Sequence, residues 1–260
     1  MIQRLATVVV LIPVVLLSIF LLPLNAFIVF IEIFLALAVF ELLRLLSQFG
    51  VQSFPLTYPF ALLFPWVWNY QRTLVPVYLL VSVLISTVWA VLRLKDRKSI
   101  WFSTAANLSA IVYLAFPFAL AADFQLRQPL ELLLVLIVIW TGDISAYLVG
   151  RKWGNHKIVP RISPGKSLEG YAAGLSSSVF AATLFGHYQL VNWPFIHLMV
   201  AGVFIGLSGM LGDLFESRLK RGAGLKDSSN LIPGHGGILD RLDSLLFALP
   251  VYYLLSLLLK

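Results

Sequence analysis

Eight segments of this 260-residue chain stay apolar for long enough to cross a hydrocarbon layer, near 5–24, 26–46, 74–92, 100–122, 130–149, 168–190, 195–215 and 239–259. A bilayer core about 30 Å thick takes roughly 20 helical residues to span. No water is available there to satisfy backbone amides and carbonyls, so a spanning segment bonds within itself as a helix. A ninth segment, 54–70, is shorter and is interrupted by Pro55, Pro59 and Pro65. Each proline removes an amide donor and crowds the preceding turn, which weakens it as a span. Side chains are 60% hydrophobic and only 12% charged, where soluble domains carry about 25% charge. The expectation is an all-α, polytopic integral membrane protein with about nine transmembrane helices. The chain has no cysteine, which removes disulfides and thiolate metal sites. The run from Leu5 to Leu24 is longer than a signal-peptide core, and no small-x-small site follows it. It therefore reads as the first span and not as a cleaved leader.

Charge orients the spans. With nine of them and the N-terminus inside, 16 of the 19 Lys and Arg residues face the cytoplasm, and only Arg72, Arg127 and Lys260 lie outside. Cytoplasmic loops favour basic residues, so this bias supports both the count and the direction. The net charge of +7 then expresses topology and not nucleic-acid binding. The loops at 150–167 and 216–238 fall on the cytoplasmic side. Short loops and the lack of a targeting extension point to a bacterial inner membrane. Residues 1–122, with about five spans, are nearly pure lipid-facing pattern. Residues 123–260 carry the polar groups and hence the expected site.

Eight of the 31 charged side chains fall between Arg218 and Asp243. Ionised groups inside a bilayer are costly, so they usually pair, line water or bind ions. Asp143, Asp213, Asp240 and Asp243 sit at or near helix ends. Asp240 and Asp243 are three apart; if a helix starts there they share a face and can hold one cation or bridge two. Gly202, Gly206, Gly209 and Gly212 permit close packing that would bring Asp213 against the last helix. The pair Gly202 and Gly206 also permits a homodimer interface. The plainer alternative is interfacial salt bridges, Asp240 with Arg241 and Asp213 with Arg218. Three glycines surround His235 in Pro233-Gly234-His235-Gly236-Gly237, a loop that can expose amides to an anion at the start of a helix. The neighbouring Lys220, Arg221, Lys226 and Arg241 favour phosphate. Ser163-Pro164-Gly165-Lys166-Ser167 has the tail of a phosphate-binding loop, but proline stands at 160 where that motif needs glycine, so it is not one. Gly165, Lys166 and Ser167 at a helix start can still hold a phosphate. Glu41 and Arg44, three apart, are spaced to pair on one helix. Glu32 belongs either to the site or to a polar contact with another helix.

From Ser217 to Asp243 the chain reads Ser-x-x-Lys-Arg, four residues, Lys-Asp, then Pro-x-His-Gly-Gly, two residues and Asp-Arg-x-Asp. This resembles the signature of the phosphatidate cytidylyltransferase (CDP-diacylglycerol synthase) family. Thr141-Gly142-Asp143, Ser163 to Gly170 and Gly212-Asp213 are similar to that family too. The resemblance covers roughly 130–259. It implies an Mg²⁺-dependent condensation of CTP with phosphatidic acid, yielding CDP-diacylglycerol and pyrophosphate at the cytoplasmic membrane face. It places Asp240, Asp213, Lys226 and Asp227 in the catalytic set. Metal would fall to Asp213, Asp240, Asp243 and Asp143, with a second cation allowed. Phosphate and headgroup contacts would fall to Lys166, Ser167, Lys220, Arg221, His235, Gly236 and Arg241. Two alternatives remain. A CTP-dependent polyprenol or dolichol kinase would release CDP. A cation-coupled transporter would release no nucleotide product, and the absence of an internal repeat speaks against it.

Overall fold

The computed structural model describes residues 2–160, 162–189, 193–231 and 236–259, with side chains from Ile12 onward except Gln189. The expectations for His235, Pro233, Gly234, Arg161 and Lys260 lie outside the described residues, as does the side chain of Arg4. Every element among them is helical: α1 (Ile2–Leu21), α2 (Leu24–Ser47), α3 (Thr57–Tyr70), α4 (Val75–Arg93), α5 (Arg97–Ser109), a π-helical segment (Ala110–Ala115), α6 (Phe116–Arg127), α7 (Pro129–Trp153), α8 (Leu168–Gln189), α9 (Phe195–Gly222) and α10 (Leu239–Leu259). All nine apolar segments of the sequence are therefore helices, with α5, the π segment and α6 forming one run.

Among the described residues six helical stretches are long and apolar enough to cross a membrane: Leu24–Ser47, Arg72–Arg93, Arg97–Arg127, Pro129–Trp153, Phe195–Gly222 and Leu239–Leu259. This is an integral membrane protein. The other three segments differ for separate reasons. Helix α1 runs over the 20 residues Ile2–Leu21, and its described side chains, Ile12–Leu21, form a shorter apolar stretch. Helix α3 has 14 residues with Pro65 inside, about 21 Å of helix at 1.5 Å per residue. Helix α8 is long enough, but Gly170, Gly174, Gly186 and Ser176 to Ser178 dilute its apolar character.

The chain forms two compact units, Met1–Leu126 with Gly222–Arg241, and Arg127–Arg221 with Leu242–Lys260. In the first, α2 buries Ile28, Ile31, Leu35, Ala38, Leu42 and Leu45 at helical spacing. Helix α4 inverts the soluble pattern: Ser82, Ser86 and Ala90 are buried, while Val77, Leu80, Leu84, Val88 and Leu92 form an exposed stripe. That stripe suits lipid. Hydrocarbon offers no hydrophobic drive between helices, so polar contacts of about 0.6–2 kcal/mol and close packing do the joining. Trp66 Nε1 donates to Glu32 Oε1 at 2.6 Å, which settles Glu32 as an interhelical contact. Arg72 pairs with Asp123 at 2.7 Å, and Thr87 and Thr104 hydroxyls lie 3.3 Å apart. Asn107 Nδ2 donates to Ser82 O at 3.3 Å.

In the second unit α7 and α8 pack along much of their length. A Cβ at Gly202 or Gly206 would run into Val179 and Ser178 of α8. This glycine pair is thus used within the chain, against α8. A Cβ at Gly212 would strike the Asp243 carbonyl. Helices α9 and α10 therefore meet closely beside Asp213, as the glycine spacing predicts.

Candidate active site

Lys166 is delivered by a small hairpin between α7 and α8. Ile158 N donates to Lys166 O at 3.2 Å and Leu168 N to His156 O at 2.9 Å, around an antiparallel bridge between Lys157 and Ser167. Glu169, in the first turn of α8, accepts from His156 N at 3.2 and 3.3 Å and lies 2.6 Å from His156 Nδ1. Ser167 Oγ accepts from Gly170 N at 3.2 Å, a helix cap that satisfies one orphan amide. The hairpin is thus tied at its base, and the Lys166 ammonium ends 2.8 Å from Asp213 Oδ1. Ser217, the first residue of the long polar signature, completes the group: Lys166 donates to its Oγ, which donates to Asp213, each at 3.4 Å.

This pair opens on a cavity of about 260 Å³ whose lining includes Asp143, Lys166, Ser167, Tyr171 and Asp213, with Ile139, Ile205 and Met210 as its apolar part. Tyr171 presents a buried hydroxyl with no hydrogen-bond partner among the described residues. Carboxylates crowd the region. Asp213 repels both Asp143 and Asp243, while Glu216 and Asp143 also act on Asp243; Lys166 attracts Asp143 in return. Glu216 is itself paired with Lys220 at 2.7 Å. All these acids offer carboxylate oxygen, the donor that hard divalent cations take, and their mutual repulsion is what a cation relieves. The donor chemistry fits Mg²⁺. Among the described residues no three His, Cys, Asp or Glu stand close enough to hold a metal, so the acids form a charged neighbourhood and not a closed shell.

The first unit holds the remainder of the signature. Asp240, in the first turn of α10, accepts through Oδ2 from Ser228 N at 3.0 Å, Ser228 Oγ at 2.9 Å and Gly237 N at 2.7 Å. Gly236 has φ +81, a conformation that penalises any side chain, and a Cβ there would also meet Asp240 Oδ2. Beneath this loop lies Glu41 of α2, fully buried.

The sequence profile of the cytidylyltransferase family matches residues 2–259. The chain belongs to the cytidylyltransferase family. Among curated proteins, it is 48% identical over 122 residues to a phosphatidate cytidylyltransferase of Bacillus subtilis, covering 46% of this chain and 45% of that one. Similar figures hold for a phosphatidate cytidylyltransferase of Haemophilus influenzae, 48% over 128 residues, 46% and 43% of the two chains. One from Staphylococcus saprophyticus is 37% identical over 164 residues, 62% of each. The chain spans about half the length of the first two relatives and 62% of the third.

Of the residues that the cytidylyltransferase signature singles out, the structure gathers Asp143, Asp213, Asp243 and Lys166 in one unit. Asp213 takes Lys166 as its partner, a contact between a loop and a helix that residue spacing does not disclose. Lys220 serves Glu216, and Arg221 Nε donates to Ile162 O at 3.1 Å, so both steady the end of α9. Ser167 is buried as a cap. Gly236 and Asp240 shape the loop of the other unit, where Lys226, Asp227 and Arg241 are exposed. Two residues were missed. Tyr171 is one turn of α8 beyond the hairpin, and an aromatic hydroxyl in a glycine-rich helix start was its only signal. Glu41 does not follow the Arg44 pairing that its spacing suggests. Its signal was register: it falls on the buried stripe of α2 between Ala38 and Leu45.

Proposed function

We propose that this protein transfers the cytidylyl group of CTP to phosphatidic acid, forming CDP-diacylglycerol and pyrophosphate. The observation that carries this reading is the Lys166–Asp213 pair beside Asp143 at a cavity part charged and part apolar. Such a cavity suits a phosphate group attached to a lipid. The names of the relatives agree with it.

An oxygen of the phosphatidate headgroup attacks the α-phosphorus of CTP. The bond from that phosphorus to the bridging oxygen breaks, and pyrophosphate leaves with the electron pair. The nucleophile is already anionic near neutral pH, so the chain's task is to seat two polyanions together and in line. Lys166 is placed to exchange Asp213 for a phosphate oxygen as substrate arrives. Lys220, Arg221, Lys226 and Arg241 add positive charge along the signature, and Ser167, His235 and Gly236 are the further residues that the resemblance assigns to phosphate. The residues proposed to offer carboxylate oxygen to Mg²⁺, with a second cation allowed, are Asp143, Asp213 and Asp243 of the second unit and, separately, Asp240 of the first. When bound, that ion neutralises the triphosphate and draws charge from the α-phosphorus. Asp227 stands with Lys226 at the exposed edge of the loop. Tyr171 can donate its free hydroxyl to a bound oxygen.

In this reading α1, α3 and α8 join the six apolar stretches as spans, giving nine, with the N-terminus and the 150–167 and 216–238 loops in the cytoplasm of a bacterial inner membrane. Because the chain has no cysteine, single cysteines report sidedness cleanly. Asn155→Cys should react with an impermeant maleimide only from the cytoplasmic face, and Thr73→Cys only from the other.

The activity is tested with purified protein, CTP labelled at the α-phosphate, phosphatidic acid and Mg²⁺. Label passing into the lipid phase with pyrophosphate release, both abolished by EDTA, is the expected result. Release of CDP would make the protein a lipid kinase. CTP left intact would overturn the enzymatic reading.

A further inference from the structure

We propose that Glu41 is a positioning residue for the signature loop, holding its two ends, 228–229 and 238–239, together and, through Ser228, fixing the carboxylate of Asp240. The inference builds on the cytidylyl-transfer reading and names a residue of α2 that lies far from the signature in sequence.

Glu41 is 0% exposed and sits among the apolar side chains of α2. An apolar residue would fill that position at less cost, since burying an ionised carboxylate is penalised unless it is well satisfied. Here it is satisfied completely. Oε1 accepts from Ser229 Oγ at 2.5 Å and Ile238 N at 3.0 Å. Oε2 accepts from Ser228 Oγ at 2.9 Å and Leu239 N at 2.7 Å. A carboxylate has about four acceptor positions, and all four are met, one of them by the single Ser228 hydroxyl proton that Glu41 Oε2 shares with Asp240 Oδ2. Two of the donors are amides at the start of α10, groups without a partner inside the helix and favourably placed for negative charge.

All four donors come from the two ends of one loop. Glu41 thus closes the loop, with Ser228 and Ser229 at its entry and Ile238 and Leu239 at its exit. The link to Asp240 is direct. Ser228 Oγ touches Glu41 Oε2 and Asp240 Oδ2 at the same 2.9 Å. Gly237, whose amide donates to Asp240, has no room for a side chain because a Cβ would overlap Ser228 Oγ and both Glu41 oxygens. The rotamer of Asp240 is therefore set by groups that Glu41 holds.

The chemistry of the cage separates this role from plain space filling. Glutamine has the same shape, but one of its two ends is a donor, which would face donors. Aspartate keeps the acceptors and withdraws them by one methylene. Serine 229 gives Glu41 one hydroxyl and does not touch Asp240 through it; Ser228 does both.

The test uses the full-length protein in lipid nanodiscs with Glu41→Gln, Glu41→Asp, Ser228→Ala and Ser229→Ala. Hydrogen exchange over 226–240, kcat and the KM for phosphatidate are measured. Glu41→Gln should speed exchange in that loop but not over 57–70, and lower kcat by about tenfold or more with KM for phosphatidate within about twofold. Glu41→Asp should recover part of kcat. Ser228→Ala should lower kcat about fivefold more than Ser229→Ala, although each removes one buried hydroxyl from Glu41. Wild-type exchange and kcat in Glu41→Gln, or equal kcat in the two serine variants, would overturn the proposal. If Glu41→Gln fails to fold, the serine pair decides. If the wild type transfers no cytidylyl group, the function reading fails, and the exchange comparison still decides whether Glu41 holds the loop.

Discussion

Two regions of the molecule treat acidic side chains in opposite ways. Around Glu41 every acceptor position has a donor from its own unit, and the carboxylate is fully buried. Around Asp213 the acids face one another, with Lys166 as the cation that meets Asp213. A filled acceptor set is scaffolding, since nothing further can bind without breaking it. Acids that repel one another, beside a tyrosine hydroxyl with no partner, are unfinished, and substrate and cation are what would complete them. Burial and charge alone would have ranked Glu41 as the stronger candidate for chemistry. Counting donors against acceptors reverses that order.

The sharpest way to break the contrast is Lys166→Met. It should reduce cytidylyl transfer by about a hundredfold to a thousandfold, since a positioned charge at a developing phosphate transition state contributes on that scale. An effect under about tenfold would remove Lys166 from the site. Next is Asp213→Asn, expected to cost about a hundredfold in kcat and to raise the Mg²⁺ concentration for half-maximal rate. Unchanged Mg²⁺ dependence would move the cation elsewhere. Tyr171→Phe should lower kcat/KM about fivefold to tenfold while leaving Tm unchanged or slightly higher, because a buried hydroxyl without a partner costs stability. A clear loss of Tm would show that the hydroxyl serves the fold. Smallest is Glu32→Gln. Its single bond to Trp66 predicts a stability change under about 1 kcal/mol and unaltered turnover.

The helical architecture was largely legible, because the bilayer leaves one option for a twenty-residue apolar run. Helix ends were less so. Helix α9 continues to Gly222 and α7 to Trp153, past the apolar segments that end near 215 and 149, since Arg and Lys propagate a helix readily once it has begun. Asp213 and Lys166 could be singled out as charged groups at the ends of apolar runs. That they meet could not be read, because the contact depends on how the 154–167 hairpin folds back. Glu41 was misjudged for the related reason that local spacing offers Arg44, whereas all four of its donors come from a loop that the chain reaches 187 residues later or more.

The π-helical segment Ala110–Ala115 has a consequence for how this family can change. One extra residue per turn rotates everything after it by about 100° relative to a plain α-helix. Before the bulge, Thr104 and Asn107 meet α4; the bulge itself packs on α2 and α3, and after it Asn69 of α3 reaches the carbonyl of Ala119. One rod thereby serves neighbours that a straight helix of the same sequence could not face together. Deleting a single residue there would leave length and hydropathy nearly intact and turn Asp123 away from Arg72. Related chains that differ by one residue at this point should therefore carry matched substitutions at 72 and 123, a trace visible in sequences alone.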